Sequence, residues 1–230
     1  KYLRIYNYHG GGIRGLKRCL DTFKEVDFFD FKRFGINTRE NLRENYKNMK
    51  YMFYAPVYSC VSEQMIYLAH EHWASAVRYS NYTAKAIFID LGCGSGKTLI
   101  QSMESNRFDG IYGVELISLL AKRGRININK LSRKKRLSNI EIFENNVEDI
   151  TWLNHLIEKL GETSNCTLFL FNKNSYGGYT LNKSLDIVES KFNNIIYLYQ
   201  NPVHSSVLEK RGYEIFAYDS KKPTSNRNFK

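Results

Sequence analysis

Residues 86–98 read AIFIDLGCGSGKT: an apolar, β-branched run that ends in an acid, Asp90, and opens into a glycine loop. Glycine at 92, 94 and 96 permits a tight turn in backbone conformations that a Cβ resists. It also lets a ligand approach the amides of a following helix, expected at about 95–105. Strand, glycine loop and helix make the first half of a nucleotide-binding βαβ unit.

Two familiar loops fail on spacing. Gly96-Lys97-Thr98 matches the ending of a phosphate-cradling P-loop, yet that pattern requires glycine at 91, where the chain has Leu91. It also requires a strand ending in Asp to hold magnesium, whereas the later apolar runs end in Asn172 (LFLFN) and Gln200 (IIYLYQ). A dinucleotide loop would put its third glycine at Lys97. The next apolar run, IYGVE at 111–115, ends in Glu115, 23 positions after Gly92 (115 − 92). That is near the ~20 of a ribose-binding acid, which accepts from both ribose hydroxyls and repels a 2′-phosphate.

Asp90-Leu91-Gly92-Cys93-Gly94-Ser95-Gly96 resembles the first motif of the class I (seven-stranded, Rossmann-like) S-adenosylmethionine-dependent methyltransferases. Residues 57–230 are similar to one bacterial group of these enzymes, mostly without an assigned substrate. The shared features are Tyr54-Ala55-Pro56-Val57-Tyr58 before the first strand, and Phe171-Asn172 followed by Gly177-Gly178 after the fourth. Asn201-Pro202-Val203-His204 after the fifth is also shared, and FKRFGINT at 31–38 resembles their N-terminal region.

The resemblance implies S-adenosyl-L-methionine as cofactor. Asp90 is then expected near the methionine amino group, and Gly92, Cys93, Gly94 and Gly96 beneath the methionine and ribose. Glu115 takes the ribose, and Asn146 and Val147 the adenine, with the Asn146 amide oxygen in place of the commoner Asp. Tyr54 and Tyr58 are expected over the cofactor, and Asp149 as the cap of the next helix. On the acceptor side the candidates are Asn172, Tyr176 and His204, the last as general base because an imidazole titrates near neutrality. Nucleic-acid amine methyltransferases place two prolines between the Asn and the aromatic; Asn172-Lys173-Asn174-Ser175-Tyr176 has neither, which weighs against base methylation.

At 230 residues, with 43% hydrophobic and 14% aromatic content, the chain suits one α/β core with an N-terminal addition. Strands are expected at 86–91, 110–114, 140–144, 167–171, 194–200 and 213–218. Helices are expected at 95–105, 117–138, 151–160, 180–192 and 203–211. Such alternation predicts a doubly wound, mostly parallel sheet, with Asp90, Glu115, Asn146, Asn172 and Asn201 on its ligand-binding rim. Residues 1–84, with helical spacing at 12–24, 38–50 and 59–77, are expected to form a helical cap over that rim, and 85–230 the cofactor-binding core. The family's closing seventh strand is expected to be truncated or to continue beyond Lys230.

Cys19, Cys60, Cys93 and Cys166 form no C-x-x-C pair, and His70 and His72 would point to different helix faces, so no metal is expected. No apolar run reaches membrane-spanning length. Lys1 opens no signal segment, and without an initiator Met the true N-terminus is expected upstream; the cytoplasm is the expected compartment. A net charge of +11 and a pI near 9.4 suit an acidic partner. The basic residues from Lys122 to RKKR at 133–136 are expected to form chiefly a solvated helix face, which makes nucleic acid the less favoured partner. The expected function is methyl transfer to an anionic acceptor. The alternatives are a protein-lysine methyltransferase, or a non-catalytic nucleic-acid or partner-binding module on the same fold.

Overall fold

The computed structural model describes residues 26–38, 59–80, 84–135, 139–173, 176–200 and 202–214. Five strands form one sheet: β1 (Lys85–Leu91), β2 (Gly110–Glu115), β3 (Ile140–Glu144), β4 (Cys166–Asn172) and β5 (Asn194–Tyr199). Their order is β3-β2-β1-β4-β5 and every pairing is parallel. The chain steps outward from β1 to β3, then returns to the other side of β1 for β4 and β5. The reversal lies between β1 and β4, the switch point at which such sheets bind ligands.

Each strand follows a helix. These are α1 (Ser59–Ser80) before β1, then α2 (Lys97–Ser105), α3 (Ser118–Lys135), α4 (Thr151–Leu160) and α5 (Gly178–Glu189), with α6 (Ser205–Lys210) after β5. The middle of each central strand is apolar because both faces are covered, and the polar residues Asp90 and Asn172 come at the carboxyl ends. Alternate residues divide between the faces: Ala86, Phe88, Phe169 and Phe171 pack with Ile66 of α1, Leu99 and Ile100 of α2 and Ile128 of α3. Ile87, Ile89, Leu91, Leu168 and Leu170 pack with Trp152, Leu153 and Leu156 of α4 and Val188 of α5. Each such burial contributes roughly 1.5–3 kcal/mol.

Helix α2 is buried from Lys97 to Met103, polar residues included, because other elements enclose it. Helix α1 lies along its outer side, where Ser62 Oγ donates to Gln101 Oε1 (2.6 Å) and Gln101 Nε2 donates to the Ser59 carbonyl (3.0 Å). Towards its other end, Trp73 Nε1 donates to Thr167 Oγ1 (3.0 Å), near the start of β4. A π-helix at Val26–Phe34 leads into an extended stretch closed by Asp30, whose carboxylate accepts from the Thr38 amide (3.0 Å) and hydroxyl (2.9 Å). Phe29 and Ile36 of this segment enter the same core cluster as Phe88. An Arg33–Glu63 ion pair of 2.8 Å ties it to α1.

The described part of the expected N-terminal cap therefore packs against this sheet face. The helix expected at 12–24, most of that at 38–50, and Tyr54 and Tyr58 lie outside the described residues. At the other end, Tyr213 and Glu214 are not in a strand, and the remainder of the strand expected at 213–218 lies outside as well. Among the described residues no helix is long and apolar enough to cross a membrane.

Candidate functional site

The glycine loop is built as its sequence requires. Gly92, Gly94 and Gly96 have φ of 88°, 55° and 81°, the left-handed region in which a side chain is strained. The amides of Gly92 and Cys93 donate to the Val114 carbonyl (2.8 and 3.1 Å), pinning the loop to the end of β2. Cys93 reaches that strand because position 113 is glycine: a Cβ there would lie 2.5 Å from Cys93 Sγ. Its thiol is buried, which pushes its pKa well above the ordinary value.

Glu115 closes the loop. Its Oε2 accepts from the Gly94 amide (2.7 Å) and its Oε1 from the Ile117 amide (2.9 Å). Burial pushes its pKa up, and these backbone donors oppose that rise. From the outer side, Asn127 of α3 donates through Nδ2 to the carbonyls of Ser95 (3.0 Å) and Asn37 (2.8 Å). Gly124, one turn earlier, lets α3 approach; a Cβ there would lie 3.2 Å from the Gly94 carbonyl oxygen. Asn127 was not legible as a site residue, because a polar residue on a basic helix reads as solvent-facing.

Asp90 is 4% exposed at the end of β1 and accepts a hydrogen bond from Thr98 Oγ1. Burial pushes its carboxyl up to about 7; the Thr98 hydroxyl opposes this, and the charge of Glu115 adds to it. Lys97, first residue of α2 and 3% exposed, carries its ammonium 4.6 Å from the centre of the Phe29 ring. The Lys97-Thr98 pair that imitates a P-loop ending is thus engaged with Phe29 and Asp90.

On the other side of the switch point, Asn172 is fully buried and donates through Nδ2 to Tyr197 Oη (3.2 Å). The Tyr176 hydroxyl is enclosed without a hydrogen bond of normal geometry, within electrostatic reach of Tyr197 and Asp90. Burial raises the pKa of both phenols. The structure therefore brings Asn172, Tyr176 and Asp90 together and adds Tyr197, which strand alternation alone did not single out. Lys173 follows Asn172; burial, and then the charge of Lys97, pull its amine down to about 8. His204 stands just before α6 with its ring against Gly178, where a Cβ would lie 3.3 Å from Nδ1.

Beyond β3, Asn146 is exposed and its Oδ1 accepts from the Glu148 amide (3.0 Å). Val147 is buried, and its carbonyl accepts from Trp152 Nε1 (3.3 Å). Asp149 Oδ1 accepts from the Thr151 amide (2.9 Å), the capping bond expected of it. Leu116, directly after Glu115, is 59% exposed.

The remaining candidates resolve into packing. His70 sits among Trp73, Phe108 and Phe169, its pKa lowered by burial and then by the charge of Arg107. No group of three metal-ligating side chains occurs among the described residues. In the basic helix, Arg125 pairs with Glu144 (3.0 Å) and Lys130 donates to the Gly35 carbonyl.

With parallel pairing throughout, the β1–β4 switch point and the loop at the end of β1, the architecture is settled. The core is Rossmann-like. No protein-family model matches the chain, and no curated protein does. Solved structures similar to it include magnesium protoporphyrin IX methyltransferase from Synechocystis PCC 6803 with bound SAM. The identity is 10%, over 86% of this chain and 88% of that one, with a TM-score of 0.41. An S-adenosylmethionine-dependent methyltransferase from Clostridium acetobutylicum is 12% identical over 78% of this chain, with a TM-score of 0.40; the chain spans 56% of that protein's length. The methyltransferase domain of a bacterial Hen1 is 14% identical over 65% of this chain and 87% of that one, with a TM-score of 0.41. The assignment of this Rossmann-like core rests on its own strand order and register.

Proposed function

We propose that the chain is an S-adenosylmethionine-dependent methyltransferase acting on an anionic acceptor. The observation that carries the reading is the closed unit of loop and acid: three left-handed glycines between buried Asp90 and α2, drawn onto Glu115 at the end of the neighbouring strand. The donor set fits the cofactor. Asp90 offers a carboxylate to an ammonium, and the loop offers backbone to a methionine and ribose. A carboxylate has about four lone-pair positions. The amides of Gly94, Ile117 and Leu116 take up part of these on Glu115, and the remainder is proposed to serve the ribose hydroxyls. Asn146 Oδ1 has a second lone pair for an adenine amino group, and Leu116 offers it an apolar face. Tyr54 and Tyr58 belong to the same reading as aromatic cover.

The bound cofactor supplies an activated methyl group, so the chain has only to orient the acceptor, exclude water and remove a proton. Asn172 and Tyr176 are proposed to orient, and His204 to take the proton. The net charge of +11 supports an anionic acceptor. A cytoplasmic location goes with this reading.

Methyl transfer from labelled cofactor into a fractionated lysate, followed by nuclease and protease digestion, tests the function. Label in a small acidic product is the expected result. Label that protease releases would point to protein lysine instead. A protein that binds S-adenosylhomocysteine but labels nothing would be a binding module.

A further inference from the structure

Asp90 and Thr98 present a problem that the site's general layout does not solve. A carboxylate at the end of β1 must be ionised to attract an ammonium, yet the position is almost fully removed from water. Burial disfavours the charged form of a carboxyl group, and a nearby negative charge disfavours it further. Both conditions hold, since Glu115 lies on the adjacent strand. The groups that sense the charge of Asp90 are the Cys93 thiol of the loop, the Tyr176 phenol after β4 and the Tyr197 phenol of β5. Ionisation of any of these would add negative charge. The donor that meets the carboxylate is the Thr98 hydroxyl, from the first turn of α2. A helix N-terminus also favours an anion, which works in the same direction.

We infer that Thr98 is a positioning residue for the cofactor: its hydroxyl holds one carboxylate oxygen of Asp90 and leaves the other turned towards the ammonium of the methionine portion. The inference rests on the cofactor reading above and adds to it a residue outside the glycine loop. Geometry supports the division of labour. The hydrogen bond is to Oδ2, and a carboxylate held at one oxygen by a packed side chain keeps a fixed orientation of the other. Thr98 is itself buried in an enclosed helix, so its hydroxyl cannot swing to solvent. Removing it would leave Asp90 freer to turn and easier to protonate.

Two probes that share adenosine and differ at the methionine end make the test independent of any acceptor. S-adenosylhomocysteine carries the ammonium, and 5′-methylthioadenosine lacks it. In calorimetric titrations near neutral pH, Thr98→Val should weaken S-adenosylhomocysteine binding by roughly tenfold or more, the effect of one charge-assisted hydrogen bond. Binding of 5′-methylthioadenosine should be unchanged, which also reports that the variant is folded, and Thr98→Ser should restore the loss. On the unaltered protein, affinity for S-adenosylhomocysteine should rise from about pH 6 to about pH 8 as Asp90 ionises, with a flat profile for 5′-methylthioadenosine. Equal losses for both probes in Thr98→Val would mean that the hydroxyl only supports the loop, and would overturn the inference. So would unchanged binding of both, or parallel pH profiles. If the unaltered protein binds neither probe, the cofactor reading itself fails and takes the inference with it.

Discussion

Asp90 exposes the conflict between stability and function in its own titration. Its ordinary value of 3.8 is raised to about 7, so between those limits the native state holds a proton that the unfolded chain has released. Stability present below about pH 4 is therefore lost as pH rises through 7, at a cost of roughly 4 kcal/mol. Asp90→Asn should consequently gain stability over the unaltered protein between about pH 4 and pH 8 in urea denaturation, while failing to bind S-adenosylhomocysteine. A pH-independent difference would show that Asp90 stays ionised. Burial raises the pKa of Glu115 as well, but there the backbone amides of Gly94 and Ile117 depend on the carboxylate. Glu115→Ala should weaken cofactor binding and lower the melting temperature together, at roughly 1.5–3 kcal/mol for each charged hydrogen bond lost. On the acceptor side, Asn172→Ala should lower turnover on an identified substrate while cofactor affinity changes little, as expected of a contact made mainly in the transition state. Equal changes in both would return Asn172 to a purely packing role with Tyr197.

At the scale of elements, the contact of the loop with β2 leaves no room for a further methyl group. Gly113→Ala would place a Cβ 2.5 Å from Cys93 Sγ and 2.8 Å from its Cβ, so the strand and the loop must separate. Overpacking of this kind costs about 1–3 kcal/mol. A thermal melt should show that loss, and Cys93→Gly in the same chain should recover much of it; no recovery would place the strain elsewhere, for instance at Leu99. These elements were legible in the sequence to different degrees. The strands were clear because a parallel strand covered on both faces reads as a near-continuous apolar run, as in AIFI at 86–89 and LFLF at 168–171. The loop was clear because left-handed backbone demands glycine. What stayed hidden were polar residues with interior partners. Asn127 on Ser95 and Asn172 on Tyr197 join positions far apart in sequence, so the partners could not be read locally even where Asn172 itself was, and Thr98 meets Asp90 only because the glycine loop folds back between them. Lys97, whose motif only imitates a phosphate loop, has its ammonium over Phe29 instead.

At the scale of the molecule, the described residues ahead of β1 pack into the core they precede. Phe29 is buried with Phe88 and Leu99 and lies beneath the Lys97 ammonium. Phe29→Ala should destabilise the whole chain by about 3–5 kcal/mol in one cooperative transition. Two separate transitions in a calorimetric scan would instead assign residues 26–80 to a unit of their own. The net charge of +11 gives the molecule a field that attracts anions at a distance, one that salt screens within about 8–10 Å. Capture of an acidic acceptor should therefore slow as ionic strength rises.

The paired amide bonds of Asn127, one to Asn37 and one to Ser95, bear on how the protein can be cut and recombined. A fragment begun at residue 85 would hold all five described strands and the entire glycine loop, and by the order of its parts would look like a whole core. It would lack Phe29, Ile36 and Ile66 from the middle of its packing, and Asn127 would be left with one end of its clamp empty. The border drawn along the sequence and the border of what can fold are different lines here, and a transplant of this core into another protein would have to follow the second.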